Sequence, residues 1–167
     1  GITTEIARRD GREAKAVVSE IIESLRALVT QGVPVVAYNA SYDFSILYYE
    51  ALRHDLPPID QELLVIDPLV IDKTLDRYRK GKRNLETSAA LFGIALDNAH
   101  NATADAVAAG RIAQHLARAH AKELNIALTE LHQRQIEWSK AIDISYETWR
   151  KGTEPDYAAW IGWPIKK

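Results

Sequence analysis

The sequence predicts an α/β fold, on three observations: two short β-branched runs, amphipathic stretches of helical period between and beyond them, and Gly, Pro or Asp at the junctions. From Glu13 to Gln31, Val17, Val18, Ile21, Ile22, Leu25, Leu28 and Val29 recur at helical spacing and form a continuous apolar stripe. Gly32 ends that helix. Val33 to Tyr38 is short, β-branched and flanked by turn formers, which reads as a strand buried on both faces, as in a parallel sheet. The next helix carries Phe44, Leu47, Tyr48, Ala51 and Leu52 on one face until Pro57-Pro58 breaks it. Leu63 to Ile66 is a second buried strand, and Asp67-Pro68 reads as an N-cap followed by proline at the first helical position.

The remainder is helix-rich. A short helix is expected through Leu75 and Tyr78, another from Asn84 to Phe92 closed by Gly93, and an Ala-rich one from Ala102 to Ala121. A last long helix places Leu124, Leu128, Leu131, Trp138, Ile142 and Trp149 at three- and four-residue steps, and Trp160 to Lys167 forms an irregular tail. No repeat, linker or low-complexity stretch divides the chain, so residues 1–167 are read as one domain. Two strands do not make a covered sheet, so the sheet is expected to be incomplete.

Composition narrows the function. The 167 residues are 47% hydrophobic and 26% charged, with 21 basic against 23 acidic side chains, which suits a globular domain and excludes a histone-like basic mass. The absence of cysteine excludes disulfide scaffolds, zinc–thiolate sites and thiol nucleophiles. The longest apolar runs fall far short of a membrane span and no signal segment opens the chain, so a soluble, cytoplasmic protein without a membrane partner is expected. The chain also lacks methionine and begins Gly1-Ile2-Thr3-Thr4, as a processed or excised fragment would.

Two segments carry chemistry. In Tyr38-Asn39-Ala40-Ser41-Tyr42-Asp43-Phe44 a strand runs into a helix whose first turn bears a carboxylate, at the strand end where ligands gather in open α/β sheets. In His100-Asn101-Ala102-Thr103-Ala104-Asp105-Ala106 a loop histidine precedes a helix-borne aspartate, a pairing suited to a general base beside a ligand for a hard cation. Two aspartates at two helix starts could converge on divalent ions.

These segments resemble the second and third motifs of the DnaQ-like 3′→5′ exonucleases of the His-bearing DEDD subclass (DEDDh), the family of the proofreading epsilon subunit of bacterial DNA polymerase III. Asn39-Ala40-Ser41-Tyr42-Asp43-Phe44-Ser45-Ile46-Leu47 matches the second, and His100-x-Ala102-x-x-Asp105-Ala106 the third. Gly1-Ile2-Thr3 resembles the segment after the family's third strand, so the likeness covers Gly1 to about Leu116. The resemblance implies an RNase H-like α/β fold in which Asp43 and Asp105 are two of four metal-binding carboxylates and His100 is the general base that deprotonates water. It implies two Mg²⁺ or Mn²⁺ ions as cofactors and a single-stranded or frayed DNA 3′ end as substrate, with Asn39 near the terminal nucleotide. A DNA polymerase subunit is an implied partner.

The chain departs from the family at its first motif. The family's Asp-x-Glu on the first strand has no strand counterpart here; Asp60-Gln61-Glu62 has the spacing but follows Asp43, and Glu154-Pro155-Asp156 sits beside proline. Two divalent ions bring four positive charges against two carboxylates, so the chain alone is expected to bind them weakly and to be inactive. The expected fold therefore lacks its N-terminal β-hairpin and central strands and exposes an edge beside Val33 to Tyr38, which a complementing N-terminal segment or a second copy could cover.

Arg77-Tyr78-Arg79-Lys80-Gly81-Lys82-Arg83 packs five cations around one tyrosine, and Arg79, Lys82 and Arg83 are read as nucleic-acid contacts. Asp67 is read as an N-cap and Asp72 as a surface charge within a helix. Trp138, Trp149, Trp160 and Trp163 are expected to anchor the C-terminal helix and tail. Two other functions fit the same residues: an RNA-trimming exonuclease of the RNase T and oligoribonuclease kind, and a non-catalytic module that binds nucleic acid or a polymerase.

Overall fold

The computed structural model describes residues 2–59, 63–96 and 101–167. In chain order the elements are α1 (Thr4–Asp10), α2 (Ala14–Thr30), β1 (Val35–Val36), α3 (Ala40–Arg53), β2 (Val65–Ile66), α4 (Pro68–Leu75), α5 (Leu85–Leu91), α6 (Ala102–Ala119), α7 (Ala121–Leu124) and α8 (Leu128–Arg150). The local signals act where they stand. Gly32 and Gly93 both take φ +66°, a left-handed conformation that costs glycine little, just past the ends of α2 and α5. Asp67 caps α4 through the Leu69 N–H, with Pro68 in the first helical position.

The two strands pair in parallel, Val35 opposite Val65 and Val36 opposite Ile66. The Val35 N–H donates to the Leu64 carbonyl at 2.8 Å and the Ala37 N–H to the Ile66 carbonyl at 3.1 Å. The far edge of β2 is closed by side chains of α8. His132 Nδ1 accepts from the Val65 N–H, Gln135 Nε2 donates to the Val65 carbonyl, and Gln135 Oε1 accepts from the Asp67 N–H. Gln135 is fully buried, so its amide satisfies backbone groups that water does not reach.

One core cluster joins Val18 and Ile22 of α2, Phe44 and Ala51 of α3, Val65, Val70 and the C-terminal Trp163 and Ile165. A second joins Ile71, Ala89, Ile112 and Leu116, and Trp138 of α8 packs against both.

Several expectations are corrected. Thr4–Asp10, for which the sequence reading gives no element, is helical and capped by Thr3. β1 is half-buried rather than buried on both faces, and Val33 is exposed, because among the described residues β1 has β2 as its one strand neighbour. The helix at 68–75 stops before Tyr78, which is 88% exposed. The last helix begins at Leu128, and Trp149 and Trp160 are exposed, so Trp163 and Trp138 anchor the C-terminal part. Asp72 is 1% exposed and lies in the interior, where two arginines hold it. No helix among the described residues is long and apolar enough to cross a membrane.

Candidate functional site

The corner between β1 and α3 is built around Asn39, whose φ of 66° and ψ of 47° place a non-glycine residue in the left-handed region. The Asp67 carboxylate holds it there. Asp67 Oδ1 accepts from the Asn39 N–H and Oδ2 from the Ala40 N–H, both at 2.9 Å, while the Leu69 N–H and Trp163 Nε1 donate to the same carboxylate. Burial pushes the Asp67 carboxyl pKa up, and these four N–H groups oppose that shift by favouring the anion. A single acid thus ties together the end of β1, the starts of α3 and α4, and the C-terminal segment.

From this corner α3 carries Asp43 in its first turn, and α6, capped by Asn101 on the Thr103 and Ala104 N–H groups, carries Asp105 in its own. Both aspartates line one cleft of about 420 Å³, walled by Val36, Tyr38, Tyr42 and Ala109. Each stands at the positive end of a helix, which favours a carboxylate anion. Partial burial pushes the Asp43 carboxyl above the usual carboxylate range.

Below the cleft lies a buried ionic knot. Asp72 Oδ2 accepts from Arg83 Nη1 at 2.8 Å and from Arg79 Nη2, and Arg79 Nε donates to Oδ1. The Tyr38 hydroxyl donates to the Arg83 carbonyl at 3.0 Å and shares a 2.8 Å hydrogen bond with the Ser88 hydroxyl. The knot therefore holds the tyrosine that walls the aspartate cleft, and burial raises the Tyr38 pKa.

No family model matches the chain, and no solved structure matches it. The chain is similar to proteins named DNA polymerase III PolC-type. It is 40% identical over 83 residues to that of Streptococcus thermophilus, covering 49% of this chain and 5% of the relative. It is 40% identical over 79 residues to those of Streptococcus pneumoniae and Streptococcus pyogenes, covering 47% of this chain and 5% of each relative. The chain thus matches a twentieth of the length of these relatives.

The sequence candidates are distributed unevenly. Asp43 and Asp105 share the cleft. Asn39 faces the adjoining hollow with Ser41 and Ser45, and Tyr42 lines both spaces. The guanidiniums of Arg79 and Arg83 are spent on Asp72, with side-chain exposures of 10% and 12%, whereas Lys82 is exposed. His100 lies outside the described residues, as do positions 60 to 62 of the Asp-x-Glu spacing. Two positioning groups escaped the sequence reading: Asp67, whose cap signal concealed its tertiary bonds, and Gln135, which carries no local signal at all.

Among the described residues no three metal-ligating side chains gather at one place. The cleft offers two carboxylates, hard oxygen donors of the kind Mg²⁺ and Mn²⁺ prefer, and so the donor set fits such ions in type but supplies only part of a ligand shell.

Proposed function

We propose that the chain belongs to a metal-dependent 3′→5′ exonuclease of DnaQ-like type that trims DNA ends in replication or repair. The reading rests on one observation: Asp43 and Asp105, 62 positions apart in the chain, open from two helix starts onto the same cleft. The likeness to PolC-type DNA polymerase III supports it, as do the two motifs in their order. The parallel β1–β2 pair is compatible with an RNase H-like sheet completed by further strands beside β1, supplied by an N-terminal segment or a second copy.

Asp43 and Asp105 would hold Mg²⁺ or Mn²⁺, which when bound polarises a phosphate and acidifies a water. The chain's own part is to present both carboxylates at helix N-termini, to fix the α3 corner through Asp67, and to wall the cleft with Tyr38. His100 would take the proton from the attacking water. Asn39, whose side chain makes no hydrogen bond among the described residues, would present its amide to the terminal nucleotide.

The test is Mn²⁺-dependent release of mononucleotides from 3′-labelled single-stranded DNA by the full-length gene product and by this chain alone. Hydrolysis by the full-length product, abolished by Asp43→Asn or Asp105→Asn, is expected, with this chain alone inactive. A second reading, a non-catalytic binding module, is favoured by the gathering of two carboxylates where such a site needs more. It predicts no hydrolysis by either protein. Matched DNA and RNA oligomers decide the sugar, equal rates refuting the DNA assignment.

A further inference from the structure

A second concave surface lies between α4 and α8, sharing no residue with the aspartate cleft. It has a volume of about 590 Å³, within the range of small-ligand and nucleotide pockets. One wall is the face of α4 and the turn after it, carrying Lys73 and Arg77. The other is one stripe of α8, from Trp138 through Ile142 to Tyr146 and Trp149, at steps of three and four residues.

Its chemistry is one-sided. No carboxylate is among the described residues that line it. Lys73 and Arg77 make no ion pair or hydrogen bond through their side chains among the described residues, whereas Arg83, which also lines the cleft, is paired with Asp72. Lys73 is half-buried, and that burial lowers its pKa; Asp67 and Asp143 oppose the shift, and Arg83 and Lys166 add to it. Asp143 is itself engaged by Lys166.

At the rim stand two aromatic faces. Trp149 is 68% exposed, and its ring centroid lies 5.6 Å from that of Tyr146 at 36°. Tyr157 packs edge-on against Tyr146 at 5.8 Å.

We propose that the cleft between α4 and α8 binds single-stranded nucleic acid, with phosphates on Lys73 and Arg77 and a base stacked at Tyr146 and Trp149. Each nucleotide joins one anion to one planar π face, the two features this surface presents side by side. An acidic peptide would answer the cations and leave the exposed aromatic faces unused. The site stands apart from the aspartate cleft and needs no metal ion, so it does not depend on the hydrolytic reading.

The experiment is fluorescence anisotropy of a labelled oligothymidylate of about ten nucleotides in EDTA, across a series of salt concentrations. Lys73→Gln with Arg77→Gln should weaken binding at least about tenfold and flatten the log–log salt slope by about 1.4, the loss of two phosphate contacts. Trp149→Ala should weaken it about fivefold or more at unchanged slope, and Trp149→Phe should restore most of the affinity. Circular dichroism melts check that each variant is folded. Binding is read in EDTA, where metal-dependent hydrolysis is silent, which separates failure here from failure of the exonuclease reading. Unchanged affinity in the folded Lys73→Gln/Arg77→Gln protein would overturn the proposal, and so would oligoglutamate competing as well as oligothymidylate.

Discussion

Asp67 Oδ1 accepts a 2.9 Å hydrogen bond from the N–H of Asn39, 28 positions earlier, and this bond holds the left-handed corner from which α3 departs. The carboxylate has no donor of its own and meets four N–H groups. Asp67→Asn puts an NH₂ among those donors and leaves buried N–H groups unmet. It should cost about 3 kcal/mol, read as a lowered denaturation midpoint, and should raise amide exchange at Asn39 and Ala40. A midpoint within experimental error of the parent would show that the corner holds itself.

Gln135 completes the edge of β2 from a helix. Gln135→Leu fills the same space without the amide, so the Asp67 N–H and Val65 carbonyl lose their partners inside the core. The expected loss is about 2 to 4 kcal/mol, against less than 1 kcal/mol for a substitution at an exposed site of α8. Urea denaturation measures both.

The interior Asp72 neutralises two arginines. Asp72→Asn strands their charges beside the core and should destabilise by about 3 to 5 kcal/mol, whereas Lys82→Gln on the exposed part of the same run should change stability by less than about 0.5 kcal/mol. Tyr38 should also lose its fixed place, visible as a change in tyrosine fluorescence.

His132 supplies a pH dependence. Burial lowers its pKa below the usual value, and its Nδ1 accepts from the Val65 N–H only when neutral. The unfolded chain therefore binds the proton more readily than the folded one. Stability should be full above the unfolded histidine pKa of about 6.5 and fall as pH drops from there through the lower folded value. In His132→Gln that acidic decline should shrink; an unaltered decline would assign it to other groups.

Asp43 has the opposite sign. Its raised pKa means the fold favours the protonated form, so that increment of stability is present at low pH and lost as pH rises through the folded value. Asp43→Asn should be as stable as the parent at low pH and more stable at neutral pH, in thermal melts without divalent ions. Added Mn²⁺ should stabilise the parent and leave the variant unmoved.

The sequence by itself determined the local features: the stripe of α2, the glycines that end α2 and α5, the Asp67-Pro68 start of α4 and the two β-branched runs. Each is governed by neighbours within a turn of helix or a few residues of strand, and such signals survive in one dimension. It also marked Asp43 and Asp105 as helix-start carboxylates. Only the tertiary structure decided that the two line one cleft, that Asp72 is interior rather than a surface charge, and that Arg79 and Arg83 are paired with Asp72 while Lys73 and Arg77 face an open surface unpaired among the described residues. Helical spacing assigns a residue to a face but not to what packs on that face. A charge within a helix is therefore placed inside or outside by partners distant in sequence, here seven and eleven positions onward for Asp72 and 68 for the bond between Asp67 and Gln135.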